Sequence, residues 1–303
     1  MSPTDTDLAA LVTEADDPQY AHLDSLSVAD LAELMNDADG TVAFSVRQAL
    51  PQIIPAIEAA ATRLAAGGRM IYVGAGTAGR IGVLDAAECL PTFNVWPGQV
   101  QAVIAGGPPA ILTPVEGAED DGQAGRSAVD AIDVGPADVV LGLASSGRTP
   151  YVVAALDRAG QRGAVTIGLS GNADAKLSQV VDYAIEIEVG PEVIAGSTRL
   201  KAGTAQKMVL NMFSTITMIQ LGKTYGNLMV DVRATNHKLR DRACRIVATI
   251  AHVPLDQAAD TLATVDYDVK LASLMLASGL DAATASQRLA ATGGRLRPAL
   301  EEA

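Results

Sequence analysis

Between residues 70 and 188, five short apolar runs near 70–74, 101–105, 138–143, 164–168 and 182–188 alternate with helical patterns near 78–89, 117–131, 150–160 and 172–179. Strands spaced by helices of this length cannot pair as hairpins. They require a parallel sheet with right-handed crossovers and helices on both faces. The expected fold is α/β, a doubly wound five-stranded parallel sheet whose ligands sit at the carboxyl ends of the strands, near the topological switch point. Aromatic residues make up only 3 % of the chain, so the core must be Ala, Val, Leu and Ile, which suits close helix-on-sheet packing.

The first strand leads into a glycine-rich turn, Gly74-Ala-Gly-Thr-Ala-Gly79, and then a helix that carries Asp85 and Glu88 and ends near Pro91. This is the arrangement that places backbone N–H groups against a phosphate. The turn matches GxGxxG, but a dinucleotide site also wants a carboxylate at the end of the second strand. That strand ends in Ala105-Gly-Gly-Pro-Pro109, and no Gly-Lys-Ser/Thr follows the first turn, so both the nicotinamide and the P-loop readings lose their support. A second strand end, Ala144-Ser-Ser-Gly-Arg-Thr-Pro150, gathers three hydroxyls, a glycine and an arginine before a helix whose first turn accommodates Pro150. Ser145, Ser146 and Thr149, with the close backbone of Gly147, would form a compact phosphate cradle. A solvated helix cap is the alternative, although a cap needs one hydroxyl only.

Around this centre the chain divides into three expected parts. Residues 1–67 hold a polar, Asp-rich arm, a helix started by Ser27 with Asp30 three positions on, and a helical pattern over about 41–66 that Pro51 and Pro55 should kink or break. Residues 68–232 form the α/β domain, including a long, largely apolar helix over about 197–225. Residues 233–303 show only helical patterns, near 239–251, 255–263, 267–277 and 281–290, and read as a small all-helical domain.

A formal charge of −13 leaves no basic field to attract nucleic acid or an anionic membrane, yet does not stop a local site from holding a small phosphate. Two cysteines outside any CxxC spacing indicate neither a disulfide framework nor a metal centre. No run approaches the roughly 20 apolar residues that span a bilayer, and the N-terminus is acidic and polar, unlike a targeting peptide. A cytoplasmic protein is expected.

GAGTAGRIGVLDAAEC, VEGAEDD at 115–121, ASSGRTPY at 144–151, GSTRLKAGTAQKMVLNM at 196–212 and NLMVDVRATNHKL at 227–239 together resemble the N-acetylmuramic acid 6-phosphate etherases. These belong to the sugar-isomerase (SIS) group and are related to glucokinase regulatory protein. The resemblance covers nearly the whole chain. It implies an SIS-type sheet domain with a small helical C-terminal domain, a homodimer, no cofactor or metal, and a place in cytoplasmic peptidoglycan recycling. The activity it implies is cleavage of the lactyl ether to N-acetylglucosamine 6-phosphate and D-lactate. Two positions depart from the pattern: Ala78 stands where the family has a serine, removing one hydroxyl, and Leu90 stands where it has a proline.

Breaking a C3–O ether beside a sugar aldehyde is an elimination. A base removes the C2 proton, an acid protonates the departing lactate oxygen, and water then adds at C3. A carboxylic acid serves as that donor if desolvation raises its pKa, and the apolar neighbours of Glu88 (Val83, Leu84, Ala87, Cys89) offer it. The resemblance makes Glu88 the proton donor and Glu119 the second acid/base, suited either to water activation or to C2 proton transfer. Thr77 and Glu88 are eleven residues apart, so a straight helix separates them by ~16 Å, more than a hexose 6-phosphate spans. Phosphate on the 144–149 loop, a helix broken before Glu88, or a site shared across a dimer would each relieve this. Ser146 and Thr149 are therefore preferred for phosphate, with Ser145 and Gly147 next and Thr77 a lesser contact. A sugar-phosphate-sensing regulatory protein and an aldose–ketose isomerase of the same group are the alternative functions.

Overall fold

The computed structural model describes residues 11–301; the first ten residues of the expected N-terminal arm lie outside the described residues. Residues 12–25 make three single turns of tight helix, Val12–Glu14, Pro18–Tyr20 and Leu23–Ser25. Helix α1, Val28–Gly40, starts at the expected cap. Ser27 Oγ accepts from the Asp30 N–H at 3.2 Å, and the Asp30 carboxylate accepts from the Ser27 N–H at 3.3 Å, so aspartate completes the capping box as glutamate would. The pattern over 41–66 resolves into α2, Val42–Gln48, and α3, Leu50–Ala65, with Ala49 between them. Pro51 lies in the first turn of α3, where its missing N–H costs nothing, and Pro55 is accommodated inside it.

The five strands are β1 Met70–Gly74, β2 Val100–Ile104, β3 Val139–Ala144, β4 Val165–Ser170 and β5 Tyr183–Glu186. All pairings between them are parallel, in the order β2-β1-β3-β4-β5. The helices between them are α4 Gly76–Phe93, the short α5 Pro109–Leu112, α6 Gly122–Ala131 and α7 Pro150–Gln161; α8, Lys201–Gln220, follows the sheet. Side chains alternate across β1. Ile71 and Val73 join Val140, Val152, Leu156 and Val129 in the core under α6 and α7, while buried Tyr72 meets α4, where a Cβ on Gly82 would lie 3.0 Å from its own Cβ.

Two expected helices are corrected, and one way of relieving the Thr77–Glu88 distance falls away. The helix expected near 172–179 is a single tight turn, Leu177–Val180: Asp174 adopts a left-handed conformation (φ 50°), and the Glu186 carboxylate takes the Ala175 N–H and the Ser178 hydroxyl instead. The helix expected from 117 begins only at Gly122, capped by Asp121, which accepts from the Ala124 N–H at 2.8 Å. α4 continues past Pro91 without a break before Glu88, so a broken helix is not what reconciles Thr77 with Glu88.

The chain groups into two compact units. One holds the chain up to Ala87 with Gly98–Ser214, and the other Glu88–Pro97 with everything from Thr215. The second unit contains a two-residue hairpin, β6 Thr224–Tyr225 and β7 Leu228–Met229, and helices α9 His237–Ala251, α10 Leu255–Thr264, α11 Val269–Ser278, α12 Ala282–Ala291 and α13 Leu296–Glu301. Its core gathers Val230, Val247, Leu262, Leu274, Leu289 and Leu296. Asn236 caps α9 by accepting from the Leu239 N–H at 2.9 Å, which gives the ATNHKL block a local structural task and leaves His237 and Lys238 exposed. Among the described residues no helix is long and apolar enough to cross a membrane.

Candidate active site

The chain leaves β1 to one side, towards β2, and returns on the other as β3. The crevice between the carboxyl ends of β1 and β3 is thus the topological switch point, the place where open α/β sheets bind ligands. The registers align Gly74 with Leu143, so the glycine turn and the 145–149 loop open side by side.

In the first turn the glycines serve approach more than ligand chemistry. A Cβ on Gly79 would lie 2.6 Å from Ile104 Cγ1, and one on Gly74 2.6 Å from the Gly79 nitrogen; neither position tolerates a side chain. Gly76 takes a left-handed conformation (φ 52°) that a residue without Cβ adopts at no steric cost. Ala78 is buried. Thr77 packs its methyl towards α8, 3.6 Å from where a Cβ on Gly203 would stand.

The second loop presents its hydroxyls differently. Ser145 Oγ accepts from Gln206 Nε2 at 3.0 Å, and Ser146 Oγ accepts from the Arg148 N–H at 3.3 Å. Thr149 is the N-cap residue of α7 but makes no side-chain capping bond. Each serine therefore meets a protein donor with a lone pair and keeps its own proton to give. Gly147 turns the chain at φ 68°, and a Cβ there would lie 2.4 Å from Ala175 Cβ. The Gly147 carbonyl is held by the Leu177 N–H at 2.8 Å. Ser145, Ser146, Arg148 and Thr149 are all half-buried.

Glu119 lies in the exposed segment before α6, not on the helix. Its carbonyl accepts from the Tyr151 N–H at 3.0 Å, which ties this segment to the first turn of α7 and hence to the end of the 145–149 loop. A cleft of about 170 Å³ lined by Gly76, Arg80, Ala105, Val115, Glu116 and Glu119 joins the segment to the glycine turn. Arg80, in its wall, donates from Nε to the Ile111 carbonyl at 3.0 Å. Thr77, Ser145, Ser146, Gly147, Thr149 and Glu119 are thus carried on three neighbouring segments around one strand-end crevice.

On α4 the acids divide. Glu88 is exposed, so the burial expected of it is absent in a single chain. The buried acid is Asp85, 8 % exposed, whose carboxylate accepts from the Tyr72 hydroxyl at 2.7 Å and the Ser214 hydroxyl at 3.1 Å. Burial raises its pKa above the ordinary aspartate value, against the pull of those two hydrogen bonds and of Lys207. The Asn211 amide satisfies both neighbours when its oxygen faces Lys207 Nζ (2.7 Å) and its nitrogen faces Asp85 Oδ1 (3.3 Å). Sequence reasoning placed Asp85 on this helix without its burial. The available signal was the polar series Lys207, Asn211, Ser214 at helical spacing on the otherwise apolar α8. Lys201, at the start of α8, is buried, with Nζ donating to the Val189 carbonyl at 2.8 Å. Burial lowers its pKa. Its backbone N–H and that of Ala202 both donate to Glu192, each at 2.9 Å.

The glucokinase regulatory protein N-terminal SIS domain model matches residues 52–160, and the SIS domain model matches residues 123–216. The N-acetylmuramic acid 6-phosphate etherase of Streptomyces coelicolor is 53 % identical, covering 98 % of this chain and 95 % of its own. That of Rubrobacter xylanophilus is 53 % identical over 98 % of both, and that of Mycolicibacterium smegmatis is 52 % identical over 97 % of this chain and 99 % of its own. Among solved structures, a phosphoheptose isomerase from Francisella tularensis superposes with a TM-score of 0.51 at 20 % identity, over 64 % of this chain and 100 % of its own, a likeness of fold.

Proposed function

This chain belongs to the N-acetylmuramic acid 6-phosphate etherases, and from that premise we propose that it cleaves the lactyl ether of N-acetylmuramic acid 6-phosphate to N-acetylglucosamine 6-phosphate and D-lactate. The observation that carries the site assignment is the crevice between β1 and β3. There hydroxyls with protons to give stand on one loop, and Glu119 stands on a segment hydrogen-bonded to the helix that follows it. A phosphate monoester, carrying about −1.5 to −2 charge near neutral pH, is chiefly an acceptor of hydrogen bonds. The 6-phosphate is assigned to Ser146, Thr149 and Ser145, with the close backbone of Gly147 and, more distantly, Thr77. Binding energy at that remote group would fix C2 and C3 of the open-chain sugar for reaction.

In this reading the C2 proton is removed beside the aldehyde, Glu88 protonates the departing lactate oxygen, and water adds at C3 of the unsaturated aldehyde. Glu119 serves the C2 proton or the incoming water. No cofactor or metal takes part. With Glu88 exposed in one protomer, the desolvation that an acid of this kind needs would come from bound substrate and a second subunit. This reading takes a homodimer as the working form and the cytoplasm as its compartment.

The purified chain incubated with N-acetylmuramic acid 6-phosphate should release D-lactate and N-acetylglucosamine 6-phosphate in equal amounts. Folded protein that releases no lactate would overturn the etherase reading. An isomerised sugar in its place would identify an isomerase, and binding without turnover a sensor. Glu88→Gln should lower turnover by roughly 10² to 10⁴ with the melting temperature unchanged, because an amide cannot act as the acid.

A further inference from the structure

Gln206 faces the 145–149 loop from α8 with a side chain that is 3 % exposed. Its Nε2 lies 3.0 Å from Ser145 Oγ. Its Oε1 is also buried and has no hydrogen-bond partner among the described residues. An amide nitrogen only donates, so Ser145 gives Gln206 a lone pair and retains its proton. The backbone at Ser145 is held separately: its carbonyl accepts from the Gly171 N–H at 2.9 Å and from Asn172 Nδ2 at 3.0 Å. Behind it Asn172 Nδ2 also reaches Thr13 Oγ1 at 3.1 Å. The hydroxyl oxygen therefore has a fixed place, and the amide fixes which way its proton is available.

We propose that Gln206 is a positioning residue for phosphate recognition, holding the Ser145 hydroxyl in the donor sense towards the phosphate monoester of the substrate. A hydroxyl that spent its proton on a carbonyl would turn lone pairs towards a dianion and repel it, whereas one that receives a hydrogen bond turns its proton outward. The orphaned Oε1 at the other end of the same amide leaves a buried acceptor beside the loop without a partner. Buried acceptors are seldom left unpaired, and on this proposal the missing donor would arrive with the ligand, as a sugar hydroxyl or its accompanying water. The proposal rests on the etherase reading for the identity of the phosphate compound.

Inorganic phosphate is the probe that separates the two, because its binding requires no turnover. By calorimetric titration of the full chain, Gln206→Met should weaken phosphate binding about tenfold. Gln206→Glu keeps the size but accepts the Ser145 proton and adds a negative charge, so it should weaken binding more. In the Ser145→Ala background, Gln206→Met should change affinity less than about twofold, since the hydroxyl it orients is gone. With the phosphorylated substrate, KM should rise in parallel and kcat stay within about threefold. Phosphate affinity equal to wild type in Gln206→Met, or effects of Gln206→Met and Ser145→Ala that multiply independently, would overturn the proposal. Gln206→Glu supplies the same comparison where the methionine variant does not fold. A wild-type chain that releases lactate while Gln206→Met leaves phosphate binding unchanged sinks this inference alone. A wild-type chain that neither binds phosphate nor releases lactate sinks the functional reading, and this inference with it.

Discussion

Asp85 accepts from two hydroxyls in the space between β1, α4 and α8, and burial lifts its pKa above the ordinary aspartate value. A carboxyl that is harder to ionise in the folded chain penalises folding once it is charged, so the penalty is complete above its folded pKa. It shrinks as pH falls through that value and vanishes below the unfolded one. Asp85→Asn removes this titration. Urea melts at about pH 7 and close to the ordinary aspartate value of 3.8 should therefore show wild type gaining on the variant as pH falls. A stability difference that is flat with pH, or runs the other way, would mean that burial does not govern this carboxyl. The same residue shows where sequence reasoning stopped. An acid on an apolar helix was visible as a residue type, but which of Asp85 and Glu88 turned inward depended on Tyr72 and Ser214, one on the preceding strand and one far along the chain. Gln206 was hidden for the same reason, its partner Ser145 lying 61 positions away.

Among elements, the strands were the most legible, because runs such as Val139–Ala144 are buried along their whole length and a parallel strand covered on both faces reads as an unbroken apolar run. Helix starts were less so: Gly117, at φ 71°, keeps the Glu119 segment out of α6, and a glycine does not announce its φ. The packing of α6 on α7 sets a test at this scale. A Cβ on Gly125 would lie 2.1 Å from the Tyr151 carbonyl oxygen, a backbone atom that cannot swing aside. Gly125→Ala must push the helices apart, at a cost of about 1–3 kcal/mol or more. Because the Tyr151 N–H holds Glu119, the displacement should also slow lactate release beyond the loss of folded protein. Gly135→Ala is the control, with no atom within 4 Å of its added Cβ and no expected change beyond about 0.5 kcal/mol. Thermal melts and turnover measured on both variants decide the matter. A Gly125→Ala chain as stable and active as the control would show that α6 and α7 have room to slide.

At the scale of the whole molecule, the charge of −13 opposes the approach of the substrate proposed for it. A phosphate monoester carries about −1.5 to −2 near neutral pH, and the lactyl carboxylate adds to that. The crevice answers with neutral donors, the hydroxyls of Ser145, Ser146 and Thr149, and with Arg80 and Arg148 close by. Hydroxyls and backbone N–H groups act only at contact, whereas the net charge acts over the Debye length. That length falls from about 30 Å at 0.01 M salt to about 8 Å at 0.15 M. Added salt should then weaken the long-range repulsion more than the short-range grip. kcat/KM for the phosphorylated substrate is expected to rise roughly two- to threefold between those ionic strengths, the reverse of an enzyme that steers its substrate with a field of opposite sign. Initial rates at low substrate concentration, with sodium chloride varied at constant pH, measure this directly. A fall in kcat/KM over the same range would mean that the two arginines govern the potential at the crevice mouth and that the acidic surface lies too far away to be felt there.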